Sequence, residues 1–186
     1  MTLSDHVRPE AVAYDDRPAT VTTAPVLPAV PEPVATEAPV MLVTTQGGHL
    51  AQLVALRSWW DRYDRVWVAP PTADVDDKLS GERVVTSYYP TTRNLWNAVR
   101  NFLLAVRILL RERPAVLVSA GAGVAVPFFL VAWVLRIPTV FIEVYDRVDT
   151  ATMTGRLCGP FTTRRFVQWE SQVACYPDAQ VVGPLL

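Results

Sequence analysis

The chain has little cysteine. Cys158 and Cys175 are the only two, they form no CxxC pair, and with two histidines they make no metal-ligand cluster. A disulfide framework is excluded, a reducing compartment fits, and no metal site is expected. The roughly 18–20 consecutive apolar residues of a membrane-spanning helix are also missing. The longest apolar run, residues 124–135, has 12. Residues 1–39 contain no basic segment followed by an apolar one, so no secretory signal is expected there. Charge of one sign is not in excess: the net of −1 argues against a general nucleic-acid binder, and no nucleic-acid partner is expected. The dinucleotide fingerprint GxGxxG is absent, which counts against NAD. No internal repeat is present.

The 186 residues are 51% apolar and 19% charged, enough for one domain with a tail and too apolar for a wholly disordered chain. The charge is uneven. Residues 1–39 hold six acids against two arginines, and residues 40–186 hold 15 bases against 12 acids. Lys78 is the single lysine, so the basic side is arginine. Arginine's planar fork suits phosphate, although genome composition produces the same bias. Seven of the 16 prolines lie in residues 1–39. Proline removes amide donors and fixes φ, so residues 1–38 read as a disordered, partly polyproline II tail, either solubilising or a docking arm. The folded domain is expected over residues 39–186.

Within it, residues 40–44, 65–69, 83–86, 115–119, 139–143, 165–169 and 179–182 read as short apolar strands. Residues 50–60, 94–111 and 124–135 read as helices. Strands that are apolar throughout are covered on both faces, so the sheet is expected to be mostly parallel and doubly wound, a Rossmann-like α/β fold.

Four features could carry chemistry. Gly47-Gly48-His49 stands where the first strand meets the first helix, at the sheet edge where such folds bind ligands. Glycine lets a backbone approach a ligand, a helix start offers amides to an anion, and His49 could take a proton from a hydroxyl. A tight turn with a backbone-bonded histidine is the plainer reading. Gly121 and Gly123 make a second strand-to-helix turn, at the same edge or simply for close packing. Glu143 ends a strand, where a carboxylate needs a partner or a cleft. Arg147 could pair with it or bind phosphate. In the helix from Asn94, Arg93, Arg100, Arg107 and Arg111 lie close to one line beside Trp96, Phe102 and Leu103, because seven residues are nearly two turns. Such a face suits the membrane interface, and equally a core helix with a solvated arginine edge.

The order and spacing of several short segments resembles the Alg14/PssD group. These are the acceptor-side subunits of two-component glycosyltransferases in N-glycan and exopolysaccharide assembly. The segments are Thr45-Gln46-Gly47-Gly48-His49-Leu50, then residues 114–123 with Pro127. After them come residues 137–143 with Arg147, Thr154-Gly155, Val167-Gln168-Trp169, Tyr176-Pro177 and Val182-Gly183. The group resembles the N-terminal half of a GT-B enzyme such as MurG. The resemblance implies a GT-B N-terminal-type domain that holds a lipid-linked acceptor on the cytoplasmic face of a membrane, peripherally. A separate Alg13/PssE-like subunit would bind the UDP-sugar, a co-substrate, with no other cofactor. It further implies His49 as the base that deprotonates the acceptor. Gly47, Gly48, Gly121, Gly123, Glu143 and Arg147 would be acceptor-site residues, and Arg93, Trp96, Arg100, Phe102, Leu103 and Arg107 membrane contacts. The chain stops after a strand, where a one-chain enzyme would continue into a second domain, so half an enzyme is expected. A non-catalytic scaffold for a catalytic partner and a small nucleotide-binding module are the competing expectations.

Overall fold

The computed structural model describes residues 38–91 and 94–186. The tail expected over residues 1–38 therefore lies outside them except for Ala38, and Arg93 lies outside them too.

Seven strands form one parallel sheet in the order β3-β2-β1-β4-β5-β6-β7. They are β1 (Val40–Val43), β2 (Arg65–Ala69), β3 (Val84–Thr86), β4 (Val116–Ser119), β5 (Thr139–Ile142), β6 (Arg164–Val167) and β7 (Gln180–Val181). Each stands where an apolar run is found in the sequence. The pleat divides their side chains between two cores. Met41, Val43, Leu117 and Phe141 point to one face, against Phe128, Phe129 and Leu109. Val40, Leu42, Trp67 and Ile142 point to the other, against Leu50, Leu53 and Trp60. Both faces are thus covered, as continuous apolar strands require. The architecture is the expected Rossmann-like one.

The helices differ from expectation in three ways. The segment 50–60 is broken into α1 (Gly48–Ala55) and α2 (Arg57–Trp60). The Leu53 carbonyl accepts from Leu56 N at 3.1 Å and from the Trp60 indole at 2.7 Å, which takes it out of the i→i+4 ladder. Two short helices without an apolar period, α3 (Ala73–Lys78) and α6 (Met153–Cys158), are additional.

The third difference concerns the long helix α4 (Leu95–Glu112), capped by Asn94, which accepts from Asn97 N at 3.0 Å. It packs beside α5 (Ala125–Val134) and turns polar residues inward. Asn97 donates to Pro90 O, and Asn101 donates to Tyr88 O while accepting from Tyr88 N, each at 2.9 Å. These bonds tie the chain leaving β3 to the helix. The apolar face is turned outward: Leu95 is 81% exposed, Trp96 70% and Leu103 63%. The helix still enters the core through Ala105, Ile108 and Leu109, as an amphipathic core helix does, and leaves this second apolar surface open. Arg100 and Arg107 are exposed beside it, Arg100 stacking 3.8 Å over the Tyr88 ring. Phe102, Val106 and Leu110 face Leu130 and Val134 of α5 across an apolar groove of about 260 Å³. No described helix is long and apolar enough to cross a membrane.

The two cysteines divide as their burial dictates. Cys158 is enclosed in the core, and burial pushes its thiol up to about 12, whereas Cys175 is exposed. One thiol of the native chain is expected to react with a disulfide reagent near neutral pH, and two after unfolding. Two fast-reacting native thiols would contradict this burial.

Candidate active cleft

β1 has β2 on one side and β4 on the other, both parallel, so the strand order reverses between β1 and β4. Loops leaving the carboxyl ends of these strands diverge and open a crevice. It measures about 340 Å³ and is lined by Thr45, Gln46 and His49 after β1, Tyr89 and Thr91 after β3, Ala122 and Gly123 after β4, and Thr152 and Thr154 before and in α6.

His49 is half-buried in the first turn of α1 and reaches across the switch point. Its Nδ1 lies 2.9 Å from Ala120 O. A carbonyl only accepts, so Nδ1 carries the hydrogen, and the neutral ring keeps its lone pair on Nε2. The turn before it depends on Gly47, at φ 72° and ψ −137°, a conformation that side-chain-bearing residues avoid. Asp74 of α3 accepts from Gly47 N at 2.7 Å and is paired with Lys78 at 2.6 Å. These donors, Lys78 first and then the Gly47 amide, hold the Asp74 carboxyl below its ordinary range.

The opposite wall is the turn after β4. Ser119 donates to Val43 O at 2.7 Å, joining the ends of β4 and β1, and its oxygen accepts from Gly121 N at 3.1 Å. Gly121 has φ 103° and backs the His49 ring, while Ala122, at φ 71°, lines the cleft in the left-handed region. Gly123 both lines the cleft and packs closely, since a Cβ there would stand 3.1 Å from Thr91 O. Among the glycines named from the sequence, Gly123 lines the crevice, Gly121 backs the His49 ring, and Gly47 and Gly48 are exposed in the turn before it.

Glu143 is not where an acceptor ligand would be. Its side chain is fully buried, and hydroxyls and amides meet it in place of the Arg147 guanidinium. It accepts from Val144 N at 3.0 Å, the Thr152 hydroxyl at 2.9 Å and the Tyr176 hydroxyl at 2.5 Å. Of the two readings of Arg147, the pair with Glu143 is not formed: Arg147 is exposed, and its carbonyl accepts from Gln172. Tyr176 is held protonated by burial first and by the Glu143 bond second, and Arg165 stacks 4.1 Å over its ring. Through Thr152, this carboxylate fixes the α6 side of the cleft. Gly155 fits against it so closely that a Cβ would overlap the Tyr176 hydroxyl and come 2.6 Å from Glu143 Oε2.

A chain of buried glutamines joins α1 to the chain leaving β5 and β6. Gln168 donates to Gln52 Oε1 at 2.5 Å and to Glu143 O at 2.9 Å, and Gln52 also accepts from Tyr145 N at 3.0 Å. Sequence reading assigns no role to Gln52, Thr152, Tyr89 or Asp74. Gln168, the partner of Gln52, and Tyr176, the partner of Glu143, do stand in the segments that carry the resemblance.

The family described as "Oligosaccharide biosynthesis protein Alg14 like" matches residues 78–185. A UDP-N-acetylglucosamine transferase subunit of Candida albicans is 23% identical over 173 residues, covering 81% of this chain and 79% of that one. Its counterpart from Yarrowia lipolytica is 26% identical, covering 68% of this chain and 63% of that one. Among solved structures, MurG of Acinetobacter baumannii is similar with a TM-score of 0.61 at 18% identity, over 71% of this chain and 42% of that one. A UDP-GlcNAc 2-epimerase of Neisseria meningitidis reaches 0.63 at 12% identity, over 78% of this chain and 46% of that one. The chain spans less than half the length of those two structures, and at such identities the likeness is one of fold. The family match covers more than half of the chain and includes the Glu143–Thr152–Tyr176 wall of the cleft, and the chain belongs to the Alg14-like family of oligosaccharide biosynthesis proteins.

Proposed function

We propose that the chain is the acceptor-binding, membrane-recruiting subunit of a two-component UDP-sugar glycosyltransferase. It acts on a polyprenyl-diphosphate-linked saccharide, peripherally on the cytoplasmic face of a membrane, with an Alg13/PssE-like subunit that binds the donor. The acceptor hydroxyl enters the cleft and gives its proton to His49 Nε2. Its oxygen forms the new bond to the anomeric carbon as the bond from that carbon to UDP breaks. Gly123 and Thr152 shape the acceptor side, and Arg147 lies exposed for the diphosphate.

One observation carries this reading. Thr91 borders the His49 cleft and also the hollow with Asn94 and Leu95 where the outward apolar face of α4 begins. A site for a polar head thus adjoins a surface suited to the lipid interface, as a lipid-linked acceptor demands. The sequence relatives named as UDP-N-acetylglucosamine transferase subunits support the same class of reaction.

The reading is tested by transfer from a panel of radiolabelled UDP-sugars to membrane lipid extract, with this chain, the candidate partner, and both. Transfer is expected only with both. Full transfer by the partner alone leaves a scaffold and ends the catalytic reading.

The membrane part has its own test. Full burial of a large apolar side chain is worth about 1.5–3 kcal/mol. Trp96→Ser with Leu103→Ser is therefore expected to weaken binding to vesicles by about a hundredfold. Arg100→Gln with Arg107→Gln should weaken it by about tenfold or more, only on anionic vesicles and only at low salt. All four positions are exposed, so the fold should be unaffected. Unchanged vesicle binding by the first pair would contradict the proposed face.

A further inference from the structure

We infer that Asp74 is a positioning residue for His49: its carboxylate, accepting from the Gly47 amide, holds the turn that aims the imidazole across the β1–β4 switch. The inference rests on the proposed role of His49 and adds a residue to it.

The geometry begins with a deficit. α1 starts at a glycine, so no side chain caps it, and its first turn contains no acid. The positive end of a helix and its unpaired amides are then left without a negative group of their own. The turn also runs through a glycine at φ 72° and ψ −137°, where no side chain restricts the backbone. Asp74 supplies the missing anion from another element. It stands 27 residues further on, in α3 after β2, and its Oδ2 is 2.7 Å from Gly47 N. Its second oxygen is held by Lys78 at 2.6 Å, so the carboxylate is fixed at both ends. A charged acceptor on a backbone amide is among the stronger hydrogen bonds. Gly47 is two residues before His49, whose ring, among the described residues, is bonded at Nδ1, to Ala120 O. Any rotation of the turn swings the ring away from that carbonyl. The Nδ1–H tautomer loses its reason to exist, and Nε2 no longer points reliably into the cleft. The bond also removes the Gly47 N–H from the set of donors open to a phosphate, which makes this turn a device for aim.

The test uses the full chain, alone by NMR and paired with its partner for transfer from a panel of radiolabelled UDP-sugars to membrane lipid extract. In the wild type the Gly47 amide proton is expected far downfield, and the neutral His49 ring is expected as the Nδ1–H tautomer. Asp74→Ala, and Asp74→Ser as a gentler truncation that cannot reach Gly47, should move the amide upfield and give mixed tautomers. In the pair, kcat should fall about tenfold to a hundredfold with KM unchanged, the signature of lost aim. Asp74→Asn keeps an acceptor oxygen and should restore both the tautomer and most of the rate. If the truncations leave the amide and the tautomer as in the wild type, the coupling of Asp74 to His49 is refuted. Should both resonances move while kcat holds, or should kcat and KM worsen together without rescue by Asp74→Asn, the positioning role is refuted. A wild-type pair that transfers from none of a panel of UDP-sugars refutes the proposed function, and the NMR arm still decides the coupling.

Discussion

Glu143→Ala is expected to destabilise the chain by about 3–5 kcal/mol, because three buried donors lose their shared acceptor. The carboxylate is enclosed and accepts from Val144 N, the Thr152 hydroxyl and the Tyr176 hydroxyl. Alanine leaves these donors buried with no acceptor, and each orphan costs about 1–3 kcal/mol. The Arg165–Tyr176 stack loses its anchor at the same time. Glu143→Gln should cost less, about 1–2 kcal/mol, because its carbonyl still accepts and the Tyr176 hydroxyl can turn to accept from the amide. Gly155→Ala attacks the same cluster from outside. Its methyl would overlap the Tyr176 hydroxyl, with no slack in a fully buried carboxylate, and a loss of about 2–4 kcal/mol is expected from overpacking and the displaced bond. Denaturant unfolding checks all three. An unaltered midpoint for Glu143→Ala would mean that the carboxylate is not the keystone of this wall.

Much of the fold was legible because parallel strands covered on both faces carry their signal locally, as short apolar runs, and all seven appear. α3 and α6 were not, since six residues with one or two inward positions have no period to detect. The direction in which α4 turns was not legible either. Periodicity shows that Leu95, Val99, Phe102 and Val106 share a face with Leu103 nearby, but not whether the sheet takes that face or the one with Asn97 and Asn101. The inward face joins Ala105, Ile108 and Leu109 to Asn97 and Asn101, whose amides are satisfied by Pro90 and Tyr88. The site divides in the same way. His49 and the glycine turns were legible as residues at strand ends. Glu143 was recognisable as a carboxylate in need of a partner, but not its actual partners, because Thr152 and Tyr176 meet it only after α6 and β6 are in place. Gln52 and Gln168 lie 116 residues apart, and no local pattern reports such a pair.

His49→Ala carries the other large expectation and tests the central claim most directly. A positioned general base is worth about 10²–10⁴-fold in rate. The Nδ1 bond to Ala120 O leaves Nε2 as the one base this residue can offer the cleft. His49→Asn sharpens the test, since its amide can still donate towards that carbonyl but offers no basic nitrogen. The measurement is the rate of sugar transfer by the assembled pair with this chain as wild type, His49→Ala or His49→Asn, with vesicle binding and partner binding followed in parallel. Both variants are predicted to lose about 10²–10⁴-fold in kcat while binding vesicles and partner as the wild type does. Transfer at the wild-type rate by either variant would contradict a catalytic cleft in this chain.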